Sequence, residues 1–133
     1  MRYGVLFFIG VFIGVLLLAV SQALCLTATV TGVTVTLEYD EPNQNTDGSP
    51  VADLDHCTLY YNMGAGDVAG KMVPASSPTG NGHIQTPLEV PVLAGMERNV
   101  DIWATASDTS GNESPRSNTV NVRLDRLAPG PPK

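Results

Sequence analysis

Positive charge is scarce in this sequence. Of its 133 residues only 7 are Lys or Arg, against 13 Asp and Glu, which gives a formal net charge of −6. After Arg2 the basic residues are scattered singly from Lys71 to Lys133, so there is no basic stripe to neutralise a phosphate backbone. This composition argues against nucleic acid as a partner.

Motifs for catalysis and metal binding are also missing. There is no Gly-x-Ser-x-Gly nucleophile turn, and His83 stands alone in a polar stretch. His56 is next to Cys57, but adjacent residues on a strand point to opposite faces and do not meet. Residues 43–48 resemble the first half of a calcium loop, yet its twelfth position is Leu54 where Glu is required, and an Asx-rich turn explains the stretch better. We predict no enzyme activity, no metal and no cofactor.

Apolar residues are concentrated at the N-terminus. Arg2 precedes an apolar run over residues 5–20, and small residues follow at the two positions that a signal peptidase reads. We predict a signal peptide, forming a hydrophobic helix, over residues 1–23. Two alternatives stay open: an uncleaved membrane anchor, although the run reaches roughly 24 Å against a hydrocarbon core of ~30 Å, and lipid modification of Cys25.

Export sets the expected location and redox state. We predict a secreted or extracellular protein, with the periplasm and the cell surface as alternatives, and a membrane as a partner only if residues 1–23 are retained. In an oxidising compartment a pair of cysteines favours a disulfide over a metal or redox site. Cys25 and Cys57 are the two cysteines of the chain.

From residue 26 onward, short β-rich segments are separated by Gly, Pro, Asn and Asp. Residues 33–39 and 100–107 alternate clearly between apolar and polar residues, which places one face of each strand in a core. Further strands are predicted at residues 26–30, 57–61, 88–90 and 120–124. Residues 64–82 are rich in Gly, Ser and Pro, and we predict a long excursion there with at most a short strand at residues 71–73.

Six or seven short strands in about a hundred residues have the size and spacing of a two-sheet β-sandwich. The residues predicted to face its core are Val33, Val35, Leu37, Tyr39, Cys57, Leu59, Tyr61, Leu88, Val90, Val100, Ile102, Ala104, Ala106, Val120, Val122 and Leu124. Prolines at positions 129, 131 and 132 forbid further strand pairing. We therefore predict a domain of residues 24–126 followed by a Pro-rich tail of residues 127–133.

Residues 106–114 read Ala-Ser-Asp-Thr-Ser-Gly-Asn-Glu-Ser, and Ser117-Asn118 follows them. This stretch resembles the turn between the sixth and seventh strands, and the start of the last strand, of fibronectin type III domains common in secreted bacterial proteins. Supporting pieces are residues 35–42, with Tyr39 where the family usually has Trp, and residues 46–50, 59–61 and 93–95. The resemblance covers residues 26–124 and implies an all-β, immunoglobulin-like sandwich.

The chain departs from the family pattern at Val100, where Tyr is common, and at Cys57, where an aromatic residue is common. The topology implied by the resemblance starts the first and third strands at the same end of the sandwich, and so implies a disulfide between Cys25 and Cys57. Closing about 33 residues would stabilise the fold by 3 to 4 kcal/mol in the chain-entropy model. The alternative is that Cys25 lies in a frayed terminus and Cys57 is a small buried hydrophobic residue.

The alternation that buries Leu59 and Ile102 turns Tyr60 and Trp103 to the solvent side of neighbouring strands. We predict a contact face of Tyr60, Trp103 and Arg123, with Arg123 over the Trp103 ring as a cation–π partner. Exposed aromatic residues on a sheet stack on sugars or anchor a protein partner. The alternative is a cross-strand pair that stabilises the sheet locally by about 0.2 to 1 kcal/mol.

The predicted function is a secreted, non-catalytic binding or structural module that contacts a protein or a glycan, a conclusion at the level of the fold. The alternative is a membrane-anchored or lipid-anchored module that displays the sandwich at the cell envelope. The state of the mature N-terminus distinguishes the two.

Overall fold

A computed structural model of the protein describes residues 25–133, and the predicted signal peptide of residues 1–23 lies outside the described residues. The strands are β1 Leu26–Thr31, β2 Thr34–Asp40, β3 Leu54–Asn62, β4 Asp67–Pro74, β5 His83–Leu88, β6 Glu97–Asp108 and β7 Val120–Asp125. They form two antiparallel sheets, in the orders β1-β2-β5 and β4-β3-β6-β7. This arrangement confirms the all-β sandwich. Within residues 25–133 no helix is long and apolar enough to cross a membrane.

The core lies between the two sheets, and every strand except β4 contributes buried apolar side chains to it. The most deeply buried apolar side chains are Leu26, Val35, Leu37, Tyr39, Cys57, Leu59, Leu88, Val100, Ile102, Ala104 and Leu124. The predicted inward position of Val33 is wrong, because 50% of its surface is exposed. Val33 and Gly32 form the two-residue turn between β1 and β2, and Gly32 adopts a φ of 63°, as a tight hairpin requires.

The predicted excursion over residues 64–82 is wrong in its first half, which is occupied by β4. β4 pairs with β3, and the register shifts between Leu59 and Tyr60. Gly70 is the extra residue at this bulge, and a Cβ atom there would lie 2.9 Å from the Tyr61 ring. Glycine therefore lets the ring pack against the strand. The bulge also breaks the apolar–polar alternation, which removed the signal for a strand.

Two side chains join the sheets at their edges. Lys71 Nζ in β4 donates to Thr86 Oγ1 at 2.7 Å and to the Pro87 carbonyl at 3.0 Å, both in β5. At the opposite edge, the side-chain amide of Asn118 accepts from the Leu26 N–H at 2.7 Å and donates to the Leu26 carbonyl at 2.8 Å. Asn118 thus supplies both main-chain partners that the first residue of β1 lacks on that side.

A buried carboxylate fixes the end of β2. Glu41 is 4% exposed, and its carboxylate accepts from the Ser76 N–H at 2.8 Å, the Ser76 hydroxyl at 2.5 Å and the Gly82 N–H at 3.1 Å. Buried charge is tolerated only with such partners. The three bonds hold the connection between β4 and β5 against the end of β2.

Candidate functional site

The connection between β6 and β7 shapes the outer face of the four-stranded sheet. β7 starts at Val120, opposite Ile102, so the part of β6 beyond Ile102 has no β7 partner. Residues 113–117 run beside that part of β6 instead. The connection therefore takes the place of a strand beside β6, next to the sheet face where the two predicted contact aromatics are placed.

Two serines complete the hydrogen bonding of β6 in this region. The N–H of Ala104 donates to Ser117 Oγ and the N–H of Ala106 donates to Ser114 Oγ, each at 2.9 Å. In return the N–H groups of Ser117 and Ser114 donate to the carbonyls of Ala104 and Ala106, each at 2.8 Å. Each serine satisfies both main-chain groups of one β6 residue, which replaces a missing strand.

An aromatic stack lies on the outer face beside this connection. Tyr60 in β3 and Trp103 in β6 are register partners, and their ring centroids are 5.8 Å apart with planes 6° from parallel. The Arg116 guanidinium, from the connection, lies 4.2 Å from the centroid of the Trp103 ring. These geometries suit offset stacking and a cation–π contact. Trp103 keeps only 3% of its surface exposed.

Polar partners hold both ends of the stack. Arg116 donates to Asp67 Oδ2 at 2.7 Å, while Glu113 Oε1 accepts from the Thr105 hydroxyl at 2.6 Å and from the Tyr60 hydroxyl at 2.8 Å. The bonds from Thr105 and Tyr60 lower the pKa of Glu113, and the bond to Glu113 raises the pKa of Tyr60. At neutral pH the site therefore holds a carboxylate and a neutral phenol.

These side chains surround an open depression of about 330 Å³. It is lined by Tyr60, Asp67, Trp103, Thr105, Glu113, Ser114, Pro115 and Arg116. The charges of Asp67 and Arg116 neutralise each other across their ion pair, whereas Glu113 forms no ion pair with a Lys or Arg of residues 25–133. Glu113 therefore gives the depression its net negative charge.

The structure brings together two of the three residues predicted for the contact face. Tyr60 and Trp103 share the outer face as predicted, but Trp103 is not exposed, because Tyr60 and Arg116 cover it. The placement of Arg123 over Trp103 is wrong. Arg123 donates to Glu97 Oε2 at 2.5 Å, and its register position on β6 is four residues from Trp103, about 13 Å along the strand. Arg116 occupies the place predicted for Arg123.

Sequence reasoning missed Asp67, Glu113 and Arg116 as parts of the site. The predicted excursion of residues 64–82 includes Asp67 and the predicted turn of residues 106–114 includes Glu113, while Arg116 lies after that turn and was given no role. One signal was present: a long connection that carries both charges and Pro115 directly follows the strand that holds the single Trp. A connection of that length beside an aromatic strand is a place to look for a site.

The two cysteines have different environments. Cys25 is exposed and Cys57 is buried, and the structure shows no disulfide bond between them. Burial raises the pKa of Cys57 to about 11, so this group stays a thiol at neutral pH. The Tyr39 hydroxyl lies beside the Cys57 thiol and is buried without a hydrogen bond of normal geometry to any group of residues 25–133. The disulfide between Cys25 and Cys57 stays a prediction.

A second polar cluster lies on the outer face of the three-stranded sheet. His83 Nδ1 is 2.6 Å from Asp40 Oδ1, and His83 Nε2 is 2.6 Å from Glu38 Oε1. The bonds to Asp40 and Glu38 raise the pKa of His83. The carboxylates bind opposite sides of the ring and do not converge on one point. Among residues 25–133 no group of three or more His, Cys, Asp or Glu side chains is arranged to hold a metal ion.

Comparison of the chain with protein-family models, with curated proteins and with solved structures gave no match.

Proposed function

We propose that the protein is an exported, non-catalytic binding module of the fibronectin type III kind, and that its outer-face depression contacts a protein or glycan partner. Seven strands in two sheets support the family resemblance. β4 pairs with β3, whereas in constant immunoglobulin domains the fourth strand belongs to the sheet of the first, second and fifth strands. The strand order thus argues against that close alternative.

The depression is the observation that carries the binding role. A sheet face that only meets water needs alternating polar residues and nothing more. Here Tyr60 and Glu113 border an open volume of about 330 Å³, and the Arg116–Trp103 contact beneath them holds its floor in place. The Tyr60–Trp103 pair also stabilises the sheet locally, by about 0.2 to 1 kcal/mol. That stabilisation does not explain why the Glu113 carboxylate lies beside the pair.

Export is supported by the apolar run of residues 5–20 and the small residues after it. The location proposed is secreted or extracellular, with the periplasm and cell surface as alternatives. A module anchored in the envelope is the second candidate, and the exposed Cys25 directly before β1 favours it, because a lipid there would not disturb the core. Intact-mass measurement of the mature N-terminus distinguishes a chain cut after residue 23 from a retained or lipid-modified one.

A binding comparison tests the contact face. The intact protein and its Tyr60→Ala variant are applied to a glycan array and to a panel of immobilised extracellular proteins. Leu93→Ala is the control, because Leu93 is also apolar and is 69% exposed away from the depression. We expect Tyr60→Ala to weaken the strongest interaction at least tenfold, as for a residue central to an interface, and Leu93→Ala to leave it unchanged. Equal binding by all three proteins would reject the depression as the contact site.

A further inference from the structure

Glu113 is held in position with part of its carboxylate unused. Its Oε1 accepts from two hydroxyls, those of Thr105 and Tyr60, and its Oε2 accepts no hydrogen bond from residues 25–133. Both hydroxyls belong to strands, so the carboxylate cannot easily turn away. A fixed carboxylate with a free oxygen is a strong acceptor for a charged donor, because such bonds are about twice as strong as neutral ones.

Arg116, the basic residue that lines the depression, already forms an ion pair with Asp67. The Arg116 guanidinium donates to Asp67 at 2.7 Å and lies 4.2 Å above the Trp103 ring. Both contacts hold it on the Asp67 side. Among residues 25–133 no Lys or Arg pairs with Glu113, and His56, whose charge acts on Glu113, is bonded to Asp55, so the Glu113 carboxylate stays available to a ligand.

The apolar wall of the depression suits an aliphatic chain better than a sugar ring. Sugar stacking needs an open aromatic face, and Trp103 is only 3% exposed. The partly exposed Tyr60 ring and the exposed Pro115 instead offer a narrow surface of the kind on which the methylene stem of Lys or Arg packs. A volume of about 330 Å³ is at the lower end of the usual range for ligand pockets, ~300 to 1,000 Å³, and accommodates one side chain.

We propose that the depression binds a Lys or Arg side chain of a protein partner, with the cationic head on Glu113 and the stem against Tyr60. This inference rests on the proposed function, which allows a protein or a glycan as the partner, and it selects a protein. The negative formal charge of the whole chain, −6, favours approach of a basic segment.

Trp103 is the single Trp of the sequence, so its fluorescence reports on the depression. The probe is a short Gly-Arg repeat peptide, compared with the same peptide carrying citrulline, which keeps the shape and removes the charge. The variant is Glu113→Gln, which keeps the acceptor for Thr105 and Tyr60. Glu89→Gln is the matched control, because Glu89 is an exposed acidic residue outside the depression.

We expect the Arg peptide to bind the wild-type protein, Glu113→Gln to weaken binding about tenfold or more, and Glu89→Gln to change it less than about twofold. Equal weakening in both variants, or equal binding of the citrulline peptide, would overturn the proposal. If the Arg peptide fails while a neutral glycan binds in a manner lost in Tyr60→Ala, the basic side chain is rejected and the binding function stands. If no ligand is sensitive to Tyr60→Ala, both are rejected.

Discussion

Replacement of Ser117 by Ala tests how the connection between β6 and β7 is attached to the sheet. Ser117 is 7% exposed and Ala104 is fully buried, so water cannot replace the hydroxyl that accepts from the Ala104 N–H. A buried N–H without a partner costs about 1 to 3 kcal/mol. We expect Ser117→Ala to lower the free energy of unfolding by about 2 kcal/mol, which corresponds to a fall of roughly 8 to 16 °C in Tm for a domain of this size.

The measurement is urea unfolding of the mature protein followed by Trp103 fluorescence, with the slope m compared between variants to establish that the unfolded states are alike. Ser110→Ala is the control, because Ser110 lies in the same connection, is exposed, and should change stability by less than about 0.5 kcal/mol. Ser114→Ala should give an intermediate loss of about 1 kcal/mol, since its bond to the Ala106 N–H is only partly buried. If Ser117→Ala is as stable as the Ser110 control, the serine is not a substitute for a strand partner.

Three further predictions concern other parts of the sandwich. Tyr39→Phe removes a buried hydroxyl that forms no hydrogen bond of normal geometry with residues 25–133 and should stabilise the fold by about 1 kcal/mol in urea unfolding; a loss of stability would show that the hydroxyl is satisfied. The pKa of His83 is raised above its ordinary value of 6.5 by two flanking carboxylates, so its contribution is fully present below that value and is lost as pH rises through the folded pKa. The urea midpoint of His83→Gln should therefore fall below wild type in acid and approach it in alkali, and a gap of equal size at every pH would contradict this origin. Iodoacetamide without reductant should label neither cysteine if the predicted disulfide forms; labelling of Cys25 alone would refute it, because the buried Cys57 thiol, with its raised pKa, resists alkylation.

Strands with one solvent-exposed face and one buried face were predictable from the sequence. Val35, Leu59 and Ile102 lie in β2, β3 and β6, whose residues alternate, and all three are fully buried. β4 was not predictable in the same way, because it is an edge strand with a bulge at Gly70 and most of its residues are exposed. A strand that buries few side chains does not need alternating apolar and polar residues, so its sequence carries only a weak signal.

Only the part of the candidate site that lies on strands was predictable from the sequence. Tyr60 and Trp103 share a face because of their positions relative to Leu59 and Ile102, and the period of two is enough to establish this. The choice between Arg116 and Arg123 depends on the path of an irregular connection. That path is determined by serine hydroxyls bonded to β6, which leave no periodic pattern in the sequence.

The two hydrogen bonds between the Asn118 side chain and the Leu26 main chain also affect how the domain resists a pulling force. β7 begins two residues after Asn118, so β1 and β7 start at the same end of the sandwich. The chain therefore enters at one end and leaves β7 at the other, about 20 Å away along a strand of this length. Pulling the two ends apart draws β1 along its own axis, and its six register pairs with β2 resist together in shear instead of opening one after another.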